Sequence, residues 1–279
     1  MAEQLAKQSD GKLTIEIYPS GQLGAERETL ELLQIGSVDM TKVSSAVLEG
    51  FAPEYKVFGL PYLFQDREHA FRVLDGPVGD RLLAAPEEFW LHGLCFYDAG
   101  ARSFYTTHHQ TESPDDIKGL KIRVMKSVQA VNLVNGLGAS ATPISWGELY
   151  TALQSGVVDG AENNPPSFYS SRHYEICKYY SLNEHTRVPD VLLVSQHTWQ
   201  KLSEQEKAWL NEAARLSVEF QRELWKQSEE EALEAVKAAG VQVYLPDRKP
   251  FAEKVRFMHD EAAKDPIIRE VLQQIKETN

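Results

Sequence analysis

Two arginines occupy places in this 279-residue chain where a permanent charge has to be accounted for. Arg123 stands in the middle of GLKIRVM (119–125), where Leu120, Ile122 and Val124 alternate with Lys121, Arg123 and Met125, the period of a β-strand. On that alternation alone, the simpler reading is a strand with one solvent-facing charged surface. Arg102 follows the glycine that interrupts FYDAGARSFYTT, with Tyr97, Phe104 and Tyr105 around it. Such a side chain either snorkels to the surface or is held rigid by aromatic packing. A planar guanidinium presents two parallel N–H donors that match a carboxylate, so either arginine is a candidate anion site. VDGAENNPPSF (158–168) supplies Glu162, Asn163 and Asn164 just ahead of two prolines. Asparagines there serve as turn residues, and they are also the side chains suited to hydrogen-bond polyols.

Signatures of other chemistry are scarce. None of the eight histidines lies in HExxH or another compact ligand spacing, and His108 with His109 sits in the turn-like TTHHQTESP. Cys95 and Cys177 are far apart and read as two small buried side chains. NGLGASA imitates a dinucleotide fingerprint, but a helical stretch precedes it and Pro143 follows at once, the reverse of the strand-then-helix context that fingerprint needs. No G-x-S-x-G elbow or P-loop is present. No metal or cofactor is expected, and the balance moves from enzyme toward binding protein. A net charge of -12 without a basic run argues against nucleic acid as a partner. An anionic ligand would therefore have to be held locally, against the overall field.

The elements that position these residues are those of an α/β fold. KLTIEIY, LCFYD, LKIRVM and DVLLVS read as strands separated by helical stretches. With 42% apolar and 25% charged residues over 279 positions, two globular lobes are the expectation. No stretch approaches the roughly 20 apolar residues of a membrane span. LQIGSVD at 33–39 recurs as LQSGVVD at 153–159, an offset of 120 residues. Each copy should end a helix at a glycine, Gly36 or Gly156, and run into a short strand. Ser145 and Glu148 suggest a capping box opening the second helix at Trp146, and the equivalent place in the first copy is Glu26. The pattern suggests two lobes on one supersecondary plan, facing each other across a cleft. Ser203 and Glu206 open a further helix with no Gly or Pro until Gly240, long enough to cross between the lobes.

In order along nearly the whole chain, YPSGQLGAERETLELLQIGSVDM, GLPYLF, GARSFYTT, DIKGLKIRV, GASATPISWGELYTALQSGVVDGAENN, FYSSRHYEICKYYSL and LVSQHTW resemble the solute-binding proteins of tripartite ATP-independent periplasmic (TRAP) transporters, the DctP family. The resemblance implies a two-lobed, periplasmic-binding-protein type II-like α/β fold with a central cleft that closes on the ligand and a long helix spanning both lobes. Lobe I would comprise residues 1–99 plus 189–228, lobe II 100–188 plus 229–279, with hinge strands near 99–101 and 187–189. In this family the arginine matching Arg123 pairs with the ligand carboxylate, and Arg102 and Asn163 are expected to reach the ligand. Glu26, Ser44, Ser45 and Trp146 match pocket-lining places, with Asn164 and His185 beside them.

VSSAVLEGFAPE with GAENN looks most like the hexuronate-binding members, so glucuronate or galacturonate is the expected ligand. Aldonates, sialic acid, a C4-dicarboxylate or a keto acid are the alternatives. The resemblance further implies a periplasmic protein that is not an enzyme and does not span the membrane, and that hands its ligand to an ion-coupled TRAP permease. It implies, too, a signal peptide and a strand ahead of the segment matching AEQLAKQSDGK. The rival classes are an α/β enzyme and a ligand sensor using the same cleft.

Overall fold

The computed structural model describes residues 1–278. Nine strands among them form two sheets: β1 Met40–Ser44, β2 Leu91–Tyr97, β3 Arg102–Thr106, β4 Lys121–Val124, β5 Ser140–Pro143, β6 Gly160–Asn163, β7 Tyr179–Thr186, β8 Asp190–Ser195 and β9 Gln242–Tyr244. The smaller sheet has the antiparallel order β1-β8-β2, and the larger one the mixed order β5-β4-β6-β3-β7-β9. DVLLVS becomes the central strand β8, its last five residues buried, as a continuous apolar run requires. The larger sheet has β3 near its middle, every residue buried, with β6 and β7 antiparallel on either side.

The internal repeat is a repeat of structure. Helix Glu26–Gln34 leads through Gly36 into β1, and helix Trp146–Gln154 leads through Gly156 into β6, with first and last helical residues displaced by the same 120 positions. Both glycines take left-handed backbone, φ 74° and 70°. Each strand then delivers an N-cap residue, Ser44 or Asn164, to a short helix. The Ser145–Glu148 box does not form as expected: Ser145 is the N-cap, but its side chain caps nothing.

KLTIEIY is not a strand. Leu13 and Ile15 pack beside Leu5 and Leu210, yet the segment pairs with no strand and Ile17 is 70% exposed. Alternation prepares two faces, but a strand exists only where a neighbour completes its hydrogen-bond ladder.

The helix opened by Ser203 runs Glu204–Ala238, 35 residues or about 52 Å, with the capping box formed as expected. Its first half packs Leu210, Ala213, Ala214 and Val218 on the smaller sheet's Cys95, Leu192 and Val194. Its last turns put Val236 into the larger sheet's cluster with Tyr105, Phe168 and Tyr180. One helix therefore closes two cores. The chain passes between the sheets at 98–101 and again at 187–189. The C-terminal helix Pro266–Glu277 buries Ile268, Val271, Leu272 and Ile275 in a cluster that includes Tyr55, Phe58 and Leu82.

Candidate ligand-binding site

Arg123 lies on β4 between β5 and β6, and it is 3% exposed. The solvent-facing surface suggested by the alternation is thus corrected: only Lys121 is exposed, and the strand is buried from Ile122 to Val124. Its Nε donates to the Ile144 carbonyl at 2.8 Å, and its guanidinium lies 5.6 Å from the Trp146 ring. Nη1 is buried with no hydrogen-bond partner among the described residues. Burial, with Arg102 adding to it, draws the Arg123 pKa below the usual arginine range. A buried guanidinium whose outer end is unpaired has lost its water without regaining a counter-charge, a cost of several kcal/mol.

Arg102, the first residue of β3, has the opposite fate. Its Nε and Nη2 grip the Glu162 carboxylate at 2.5 and 2.9 Å, Nη2 also donates to the Glu162 carbonyl at 2.8 Å, and Nη1 donates to Asn163 Oδ1 at 2.8 Å. Burial alone would push the Glu162 carboxyl up, but Arg102 and His185 outweigh it and hold its pKa at about 2. His185 is fully buried, stacked on Phe104 at 4.4 Å, with Nδ1 3.1 Å from Asn183 Oδ1 and Nε2 3.4 Å from Glu162 Oε2. Burial keeps its pKa below the ordinary histidine range. Arg102 and Glu162 satisfy each other behind the strand ends, while His185 Nε2 lies beside them without a hydrogen bond among the described residues.

That cluster fixes Asn163. Its Oδ1 accepts from Arg102 and from the Asn164 backbone N–H at 2.9 Å, so the amide Nδ2 is its remaining donor. Asn164 caps helix Pro165–Ser170 by accepting from Ser167 N at 2.8 Å. Trp146, first residue of its helix and 41% exposed, covers Arg123 from outside. Beneath it lies His173, which sequence reasoning passed over. Its ring meets Trp146 edge-on at 5.1 Å, and its Nδ1 is hydrogen-bonded to Tyr105 Oη at 2.9 Å. Burial, helped by Arg123, lowers its pKa to about 4 and keeps it neutral. Nothing in the spacing of FYSSRHYE marks that contact, which depends on where the turn at 173–175 folds back.

The first copy of the repeat supplies the other side. Glu26 Oε1 accepts from Ser44 N at 2.8 Å, and burial raises the Glu26 pKa although Arg123 and Lys42 oppose that rise. Lys42 is itself paired with Asp190 at 2.7 Å. Ser45 is fully buried, with its N–H on the Pro189 carbonyl and its Oγ without a partner among the described residues. Ala46, Met125 and Val188 pack at the apex, around a cavity of about 10 Å³ that also touches Arg102 and Glu162. That volume is about one water. It is too small for an organic ligand. No group of three or more potential metal-ligating side chains occurs among the described residues, and none of their helices is long and apolar enough to cross a membrane.

Two sheets joined by two crossing segments and one long helix, with polar side chains gathered at the carboxyl ends of β1, β4 and β6, define a two-lobed solute-binding fold. Comparison with known proteins agrees. Residues 1–265 match the bacterial extracellular solute-binding protein, family 7 (DctP), and the chain belongs to that family. A TRAP periplasmic solute-binding protein of Xanthobacter autotrophicus Py2 with bound β-D-galacturonate superposes with TM-score 0.97 at 41% identity, covering 100% of this chain and 93% of that one. Its counterpart from Bradyrhizobium sp. BTAi1, in complex with α/β-D-galacturonate, gives 0.97 at 43% identity over 99% and 93%. The protein of Chromohalobacter salexigens DSM 3043, with bound D-glucuronate, gives 0.97 at 33% over 100% and 93%.

Proposed function

We propose that this protein captures a hexuronate, galacturonate or glucuronate, between its two lobes and delivers it to an ion-coupled TRAP permease from the periplasmic side of the membrane. The observation that carries the reading is the buried, unpaired end of Arg123 beside two cations, Arg102 and Lys42, that already have carboxylate partners. A ligand carboxylate supplies the missing counter-charge through two parallel hydrogen bonds. Each charge-assisted bond is worth roughly 1.5–3 kcal/mol, against roughly 8 kcal/mol for a micromolar affinity. The relatives with bound uronates support the ligand class.

In this scheme Trp146 stacks on the sugar ring, Asn163 donates to it from an oxygen-anchored amide, and Glu26, Ser44 and Ser45 meet its hydroxyls. Arg102, Asn164 and His185 hold that constellation from behind. The lobes divide at 98–101 and 187–189, and the terminal helix Pro266–Glu277 travels with the first lobe, whose residues it packs against. The protein acts as a carrier and returns its ligand unchanged.

A thermal-shift panel tests this. A ligand that binds only the folded state raises its stability by mass action. Galacturonate and glucuronate should raise Tm, and sugar recovered from denatured complex should be intact. No shift with any carboxylate, or recovery of a converted sugar, overturns the reading.

A further inference from the structure

The charges facing the cleft leave an imbalance that bears on which acids fit. Arg102 is neutralised by Glu162, and Lys42 by Asp190. Arg123 on the second lobe and Glu26 on the first, charges of opposite sign, stay without an ion-pair partner among the described residues, and the buried Glu49 is occupied by the Val128 backbone N–H. The Arg123 and Glu26 charges stand on opposite lobes, Glu26 held to β1 through Ser44 N and Arg123 on β4 of the larger sheet. Glu26 Oε1 is held by Ser44 N, and Oε2 makes no hydrogen bond among the described residues. An anionic acceptor fixed by backbone at one end of a cleft, with a cation at the other, suits a ligand that carries a carboxylate at one terminus and O–H donors at the far one.

We infer that Glu26 makes this site selective for monoacids: it accepts hydroxyls from the far end of the ligand and turns away molecules with a second carboxylate there. The inference rests on Arg123 taking the first carboxylate. Oxidising a terminal hydroxymethyl to a carboxylate removes the O–H that Glu26 accepts. It sets two anions face to face in a partly dehydrated cleft, with Lys42 already committed to Asp190.

Galactonate and galactarate differ only at that terminus, and galacturonate is the cyclic monoacid for comparison. Calorimetry of the whole chain with the three should give galactarate at least 100-fold weaker binding than the tighter of the two monoacids. In Glu26→Gln, which keeps an oxygen for Ser44 N, that ratio should narrow at least tenfold, chiefly by a gain for galactarate. Glu26→Ala should narrow it too, and melting curves of both empty variants report whether they fold. The inference is overturned if the wild type takes galactarate as tightly as the monoacids, or if both folded variants keep the wild-type ratio. If none of the three acids binds the wild type, the carboxylate role of Arg123 falls and this inference falls with it.

Discussion

Arg102 and Arg123 are both buried and differently partnered: Arg102 is held by Glu162 and Asn163, whereas Arg123 has no counter-charge. Removing Arg102 would strand Glu162 as a buried carboxylate with only His185, 3.4 Å away, beside it. Losing one member of a buried pair costs roughly 3–5 kcal/mol. Arg102→Met should therefore lower the stability of the empty protein by about that amount in urea titrations. Arg123→Met removes a cation that has no counter-charge in the empty protein, so the apo Tm should rise, or at least not fall, while uronate affinity falls below detection. Arg123→Lys should fail to restore binding, because an ammonium cannot reproduce the guanidinium fork. Undiminished affinity in either Arg123 variant would remove Arg123 from the site. Both arginines and the VDGAENN segment stood out in the sequence, but which side chain meets which did not. Glu162 lies 60 residues from Arg102 and meets it because β6 pairs with β3, a register that no local pattern encodes.

At the scale of elements the recurring segment was the most legible feature, because the signal that repeats is a complete unit of helix, glycine turn and strand. KLTIEIY was the least legible, since alternation describes one strand and pairing requires two. The two turn glycines offer a paired test of how the copies have diverged. At Gly156 a Cβ would meet nothing within 4 Å, whereas at Gly36 it would come within 3.1 Å of the His197 ring. Both positions are left-handed, which costs an L-residue roughly 1–2 kcal/mol. Gly156→Ala should destabilise by about 1 kcal/mol, and Gly36→Ala by clearly more, because His197 is itself stacked on Trp90 at 4.6 Å and has little room to yield. Equal losses in denaturant titrations would mean that backbone conformation alone sets the penalty and that the His197 contact gives way freely.

For the whole molecule the decisive feature is the polar node that ties the two sheets where the chain crosses between them. Asp98, on the first crossing and 3% exposed, accepts from Arg67 Nε and Nη2 at 2.8 and 2.5 Å, from the Gly100 backbone N–H at 2.9 Å, and lies 3.4 Å from Arg187 Nη1 on the second crossing. Gln221 of the long helix bonds the Asp98 backbone at both its N–H and its carbonyl, and Glu229 of the same helix takes Arg67 Nη2 at 2.7 Å. Helix Arg67–Leu74 and both crossings thus meet at the Asp98 carboxylate, and the long helix holds the same residue through its backbone. Asp98→Asn keeps the shape and removes the charge, leaving Arg187 without its carboxylate and Arg67 with Glu229 alone. The expected result is a loss of about 3 kcal/mol or more in global stability. Amide-exchange protection should fall together at 67–74, 98–101 and 187–189, since segments sharing one anchor open as one unit. If protection is lost at only one of the three, the crossings are held independently and Asp98 is an ordinary buried ion pair.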